Sequence, residues 1–333
     1  MTNQICQKLK ILNIEAETII EPTCGKGNFL VSAKRHFPKK KLLGFEVNDD
    51  YVTILNHRSE LQNDQNIKIF KSNFFETDWK SVVQEVNGTF LVLGNLPWVT
   101  NSSQGVSNGK NLPVKSNFHQ LTGIEAITGK SNFDISEYMM IEILSWFKER
   151  SGTVALLLKT AVARKTIAYA QKHRIPLQSA KIFKINSKKA FNVSVDACLL
   201  LLQLDQRSPI TYDYKIYDDL DSSNFQRIGH RDGLTVANLD DFHKYSYLAG
   251  GGSTRWRSGI KHDLASIMEL VQQGGHLVNG LGEEINIERE LIYPLMKGSD
   301  VAGAKFSNGK YIVVTQAFTG EDTEYIKAKF PKT

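Results

Sequence analysis

The sequence predicts an α/β fold with a mostly parallel sheet, and three observations carry that prediction. Short β-branched or leucine-rich runs alternate with amphipathic stretches through the first two-thirds of the chain, the pattern of strand–helix–strand units. The first run, Thr18-Ile19-Ile20-Glu21, opens into a Gly25-x-Gly27 turn, and a helical pattern starts at Phe29. Four successive runs each stop at a polar group, which would gather those groups at the carboxyl edge of one sheet, where open α/β sheets bind ligands.

The elements follow in order. Gln4 to Leu12 reads as an amphipathic helix, and Lys41 to Phe45 as a second strand ending in Glu46. An acid twenty-one residues beyond Gly25 is placed to bind ribose hydroxyls. The third strand, Ile67 to Phe70, ends near Ser72-Asn73-Phe74. The fourth, Thr89 to Leu93, breaks at Gly94 and runs into Asn95-Leu96-Pro97-Trp98. Asp134-x-x-Glu137 reads as a capping box before an apolar helix, Tyr138 to Phe147. Thr153 to Leu158, Ile182 to Ile185 and Cys198 to Leu202 are three further core strands.

Composition narrows the function classes. The 333 residues are 41% hydrophobic and 23% charged, which suits a globular protein with room for two domains. No long apolar run is present, so the sequence predicts no membrane span. Cys6, Cys24 and Cys198 lie far apart, which argues for reduced thiols in a cytoplasm and against a metal site. The net charge of +6 is unevenly spread: residues 101–200 hold 14 Lys/Arg against 6 Asp/Glu. A polyanion would dock on such a surplus.

The turn is not a full dinucleotide fingerprint, because Leu30 stands at the third glycine position. Glu21-Pro22 beside it would repel a pyrophosphate and suits a cationic ligand. Glu21-Pro22-x-Cys24-Gly25-x-Gly27-x-Phe29, Glu46, Asn73-Phe74 and Asn95-Leu96-Pro97-Trp98, in that order, resemble the motif set of gamma-class DNA amino-methyltransferases that use S-adenosylmethionine. The resemblance covers roughly residues 15 to 200. It implies a Rossmann-like class I methyltransferase fold with a seven-stranded, mostly parallel sheet, and methylation of adenine N6 in duplex DNA.

By that resemblance Glu21 and the turn from Pro22 through Cys24, Gly25, Gly27 and Phe29 hold the methionine end of the cofactor. Glu46 binds its ribose, and Asn73 and Phe74 meet its adenine. Asn73 stands where the family has Asp, and Leu96 where it has Pro. Asn95 and the carbonyl of Leu96, with Pro97 and Trp98, form the catalytic motif, and Phe191 packs against a flipped base. Cytosine-N4 and rRNA adenine methylation, or a silent DNA-binding subunit, are the alternative readings. The resemblance further implies a monomer in a bacterial cytoplasm, associated with the nucleoid, working beside a cognate restriction endonuclease.

Residues 1–204 are expected to form the cofactor-binding catalytic domain and 205–333 a target-recognition region, with a linker at Arg207-Ser208-Pro209. The polar stretch Asn101 to Asn132 reads as a DNA-touching arm, with Lys110, Lys115 and Lys130 on phosphates. Arg255 and Arg257, flanking Trp256 behind a glycine run, suit base-edge reading. A helical stretch should follow to Leu270, and strands should span Tyr212 to Tyr217 and Tyr311 to Thr315. The early end of the recognition region and the near absence of a helix-borne motif before the turn read as a shortened chain.

Overall fold

A computed structural model describes residues 1–98, 134–231, 234–248, 259–260, 262, 264–304, 309–316 and 321–332. These fall into two compact units, 1–249 and 250–333. In the first, helices α1 (Thr2–Ile11), α2 (Asn28–His36), α3 (Asp49–His57), α4 (Trp79–Gln84), α5 (Ile135–Ser145), α6 (Thr160–Lys172), α7 (Ser187–Phe191) and α8 (Leu239–Tyr245) accompany one sheet. Its strands are β1 (Thr18–Glu21), β2 (Lys41–Glu46), β3 (Ile67–Lys71), β4 (Phe90–Asn95), β5 (Gly152–Lys159), β6 (Leu177–Ile185), β7 (Ala197–Leu204), β8 (Tyr214–Tyr217), β9 (Phe225–Arg231) and β10 (Leu234–Val236).

Strand order is β10-β9-β8-β6-β7-β5-β4-β1-β2-β3. The strands β3, β2, β1, β4 and β5 pair in parallel, and β7 runs antiparallel between β5 and β6. This is the expected Rossmann-like, class I methyltransferase arrangement. The chain order reverses between β1 and β4, and such a switch point opens a crevice at the strands' carboxyl ends. The sheet has ten strands where seven were expected, because β8 pairs with β6 and carries β9 and β10 with it. The expected boundary at residue 204 therefore falls inside this unit.

Two cores sit on the two faces of the sheet. Ile5 and Leu9 of α1, Leu30 of α2 and Leu55 of α3 cover one face. Trp79 of α4, Ile143 of α5 and Ile167 of α6 cover the other. Strands β5 and β7 are buried on both faces, which is why they read as unbroken apolar runs rather than alternating ones.

The second unit is a four-stranded antiparallel sheet of β11 (Glu269–Gln273), β12 (His276–Asn279), β13 (Ile292–Pro294) and β14 (Lys310–Val313), in the order β12-β11-β14-β13. Short helices α9 (Ala265–Met268), α10 (Gly298–Ala302) and α11 (Thr323–Lys329) belong to it. Its core centres on Leu270, Leu291 and Val313. The helical stretch expected to reach Leu270 stops at Met268. Gly274 and Gly275, both at positive φ, fold β11 back on β12, and that hairpin makes Leu270 a strand residue.

Candidate active site

The crevice at the switch point is a cleft of about 470 Å³. Pro22, Thr23 and Gly25 line it after β1, and Phe45, Glu46 and Val47 at the end of β2. Ser72 to Phe75 follow β3, Asn95 to Trp98 end β4, and Ile135 and Met139 come from the first turns of α5. The four strand ends foreseen from sequence thus meet in one place.

Glu46 is built into the floor. One carboxylate oxygen accepts from Gly25 N at 2.7 Å, and the other from Val47 N at 3.0 Å and Asn48 N at 2.8 Å. The acid thereby ties the glycine turn to the end of β2. Gly25 lies at φ +53, and a side chain there would meet nothing within 4 Å, so this stretch of backbone is open to an incoming group. Gly27, at φ +76, caps α2, and a Cβ on it would stand 2.4 Å from Leu55.

Glu21, Cys24, Gly27 and Phe29 lie behind this wall rather than in it. Cys24 and Phe29 are core residues. Burial pushes the Cys24 thiol well above the ordinary range, and raises Cys6 and Cys198 to about 12. Glu21 is 3% exposed, and one of its carboxylate oxygens has no hydrogen-bond partner. Burial holds its pKa well above the usual carboxylate value; a backbone bond from Leu30 opposes this and Glu46 adds to it. An acid stranded in this way is complementary to a cation placed above the turn.

Asn73 lines the cleft, and its side-chain oxygen accepts from Phe75 N at 3.2 Å, which leaves the second lone pair of that oxygen free. Phe74 is buried against Trp79 and Trp146 and offers the cleft only part of its ring. Phe45, Phe75 and Met139 add apolar walls that were not foreseen, and Ile135 joins them from a stretch, Ser131 to Tyr138, that resembles the family's pocket-lining motif. For Ile135 and Met139 the signal was their i, i+4 spacing at a helix start.

Among the described residues nothing hydrogen-bonds the Asn95 side-chain amide, which lines the cleft with Gly25 and Glu46. Its backbone carbonyl accepts from the Thr23 hydroxyl at 3.3 Å. The Leu96 side chain is buried, which anchors the motif, and Trp98 Nε1 donates to the Leu157 carbonyl at 3.4 Å. Phe191, at the end of α7, meets Trp98 edge to face, 5.3 Å between centroids and 83° between planes. Asp134 caps α5 through Ser136 N at 3.1 Å and pairs with Lys159 at 2.5 Å, while Glu137 pairs with Lys165 at 2.7 Å. Asp134 thus supplies the predicted N-cap, while the ion pair of Glu137 ties α5 to α6. Lys110, Lys115, Lys130, Arg255 and Arg257 lie outside the described residues.

A family profile described as "Putative methyltransferase" matches residues 15–98, the segment that supplies β1 to β4 and the Asn95 motif. Type II methyltransferase M.NspV from Nostoc sp. is 41% identical over the whole chain, which spans 70% of that relative. The chain belongs to the type II methyltransferase family. A proposed class I S-adenosylmethionine-dependent methyltransferase from Listeria monocytogenes aligns at TM-score 0.46 and 11% identity, over 66% of this methyltransferase and 65% of that chain. The type IIL restriction–modification enzyme MmeI, solved with DNA, aligns at 0.45 and 13% identity. It is matched over 99% of the present chain, which spans 49% of MmeI.

S-adenosylmethionine is the cofactor of this methyltransferase, and the residues present fit it. The unpartnered Glu21 oxygen suits the cationic end, the open Gly25 backbone permits close approach, and Glu46 suits a ribose. Phe45, Phe75 and Ile135 offer flat or apolar surface for a purine. Among the described residues no helix is long and apolar enough to cross a membrane.

Proposed function

We propose that this restriction–modification-type methyltransferase acts on N6 of an adenine flipped out of duplex DNA. The observation that supports this most is the Asn95 amide, without a hydrogen-bond partner among the described residues, lining the same cleft as Gly25 and Glu46, with Trp98 and Phe191 beside it. An exocyclic amine is a weak nucleophile because its lone pair is shared with the ring. Two acceptors on its hydrogens, the Asn95 side-chain oxygen and the Leu96 carbonyl, draw the nitrogen toward a pyramidal geometry and localise the pair. The acceptors are fixed in advance by the sheet and by the buried Leu96 side chain, so they need not reorganise as charge develops. The cofactor supplies a methyl group activated on a sulfonium.

A base within a duplex cannot reach the cleft, and extrusion costs a few kcal/mol. Stacking on an aromatic returns roughly 1–3 kcal/mol per base, and Trp98 with Phe191 supplies that surface. Residues 205–333, with Lys110, Lys115, Lys130, Arg255 and Arg257, are proposed to contact DNA, and a cognate endonuclease is the proposed functional partner.

Transfer of labelled methyl to duplex DNA, followed by nucleoside analysis, tests the reading. N6-methyladenine is the expected product. N4-methylcytosine, label in RNA alone, or DNA binding without transfer would each overturn it.

A further inference from the structure

The strands that extend the sheet carry an unusual face. Lys181 of β6, Lys215 of β8 and Arg227 of β9 stand directly opposite one another in register. The next row on the same face is Phe183, Tyr217 and Phe225. The Phe183 and Tyr217 rings stack at 4.6 Å, and Tyr217 meets Phe225 at 5.4 Å. Lys215 lies 4.2 Å over the Phe225 ring, and Lys8 of α1 lies 5.4 Å over Phe183. Arg227 is paired with Asp240, but among the described residues no acid pairs with Lys8, Lys181 or Lys215.

Like charges directly opposite on neighbouring strands destabilise a sheet. Lys181 registers the conflict: burial lowers its pKa first, then the charges of Lys215 and Lys8. Of the nearby acids, Asp213 pairs with Arg231 and Asp240 with Arg227, so neither is left to serve the lysines and relieve it. A bound polyanion would. The Lys215 and Lys8 ammonium groups themselves lie over the Phe225 and Phe183 rings, so the row concentrates positive charge, which suits phosphates and carries no base reading.

The position fits as well. Asn95 pairs with Leu157, Leu157 with Leu199, Leu199 with Phe183, and Phe183 with Tyr217, so the aromatic row continues the sheet level of the Asn95 motif. Trp98, Phe191 and Tyr217 pack on the same core cluster. At about 4.8 Å per strand, the row lies roughly 14–24 Å from Asn95.

We infer that Lys8, Lys181 and Lys215 form a phosphate-holding surface for the backbone of the substrate duplex, a few nucleotides away from the base in the cleft. This rests on the DNA substrate proposed above.

The test is fluorescence anisotropy of the full-length protein with labelled duplex DNA across a salt series, comparing wild type with the double variant K181Q/K215Q. Each lost phosphate contact should lower the magnitude of the log K against log salt slope by about 0.9. The double variant should therefore bind several-fold more weakly at low salt, with the gap closing as salt rises. S-adenosylmethionine affinity should be unchanged, and the melting temperature equal or higher, because a repulsion has been removed. K181R/K215R should restore the slope. Wild-type slope and affinity in the glutamine variant would refute this surface and leave the DNA substrate standing. A wild-type protein with no salt-dependent affinity for duplex DNA would refute both.

Discussion

At the scale of single residues, the site depends on which polar atoms are spoken for. Among the described residues the Asn95 amide has no hydrogen-bond partner, while Glu46 is committed to three backbone N–H groups. Asn95→Ala should cut methyl transfer by about 10²–10³-fold or more, as for loss of a fixed catalytic dipole. Calorimetry should show S-adenosylmethionine binding intact; lost binding would mean that Asn95 serves the cofactor instead. Glu21 makes a pH-dependent prediction. Its folded pKa is raised above 4.5, so it costs nothing below that value, where folded and unfolded chains both hold the proton. The cost grows as pH climbs from there to the raised folded value, and the cofactor-free protein should lose stability over that interval. Glu21→Gln should flatten that part of the melting-temperature profile. A cation settling beside Glu21 should release its proton, which titrations in buffers of different ionisation enthalpy will detect. Binding without proton release would place the cationic end elsewhere.

At the scale of elements, the glycine turn and the short helix α7 are the parts with least tolerance. Gly27→Ala combines a left-handed backbone, costing about 1–2 kcal/mol, with a clash against Leu55. Chemical denaturation should register a loss at least that large, whereas a neutral substitution would show that α2 can shift. Phe191→Ala removes the partner of Trp98. Affinity for DNA carrying an extrahelical base should fall by about 1–3 kcal/mol, with little change for unmodified duplex. Equal losses on both DNAs would make Phe191 a packing residue. Most core strands were legible from apolar runs, and Asp134 caps α5 with a side-chain oxygen as expected, whereas the helices that Asn48, Asp78 and Asn186 cap were not read. The misses in the last third of the chain share a cause. The three residues of β10 and the four of α9 are too short for a period to register, and the Gly274-Gly275 turn that makes β11 a hairpin arm acts on residues upstream of it.

At the scale of the whole molecule, the compact unit ends at residue 249. A fragment comprising residues 1–249 should fold and bind S-adenosylmethionine with the affinity of the full chain, since every residue lining the cleft lies within it. If residues 250–333 contribute to target recognition as proposed, the fragment should lose sequence-selective methylation; retained selectivity would move recognition into the first unit. A fragment ending at 204 would strip β8 from β6 and expose the Ile182 side of the core, and should aggregate.

The sequence by itself determined which strand ends meet in the cleft, and with them Gly25, Glu46, Asn73 and Asn95, because strand ends in a parallel sheet converge whatever the details of the helices between them. Glycine, acid and asparagine at those ends were enough to point to the cofactor and to the acceptor pair. Only the tertiary structure decided which motif residues face the cleft and which stand behind it. Cys24 and Phe29 share a motif with Pro22 and Gly25 but pack into the core, and Glu21 is buried behind the residues that line the cleft. Cross-strand register decided the rest. Lys181, Lys215 and Arg227 are far apart along the chain, and hydrogen-bond pairing alone brings their charges into one row.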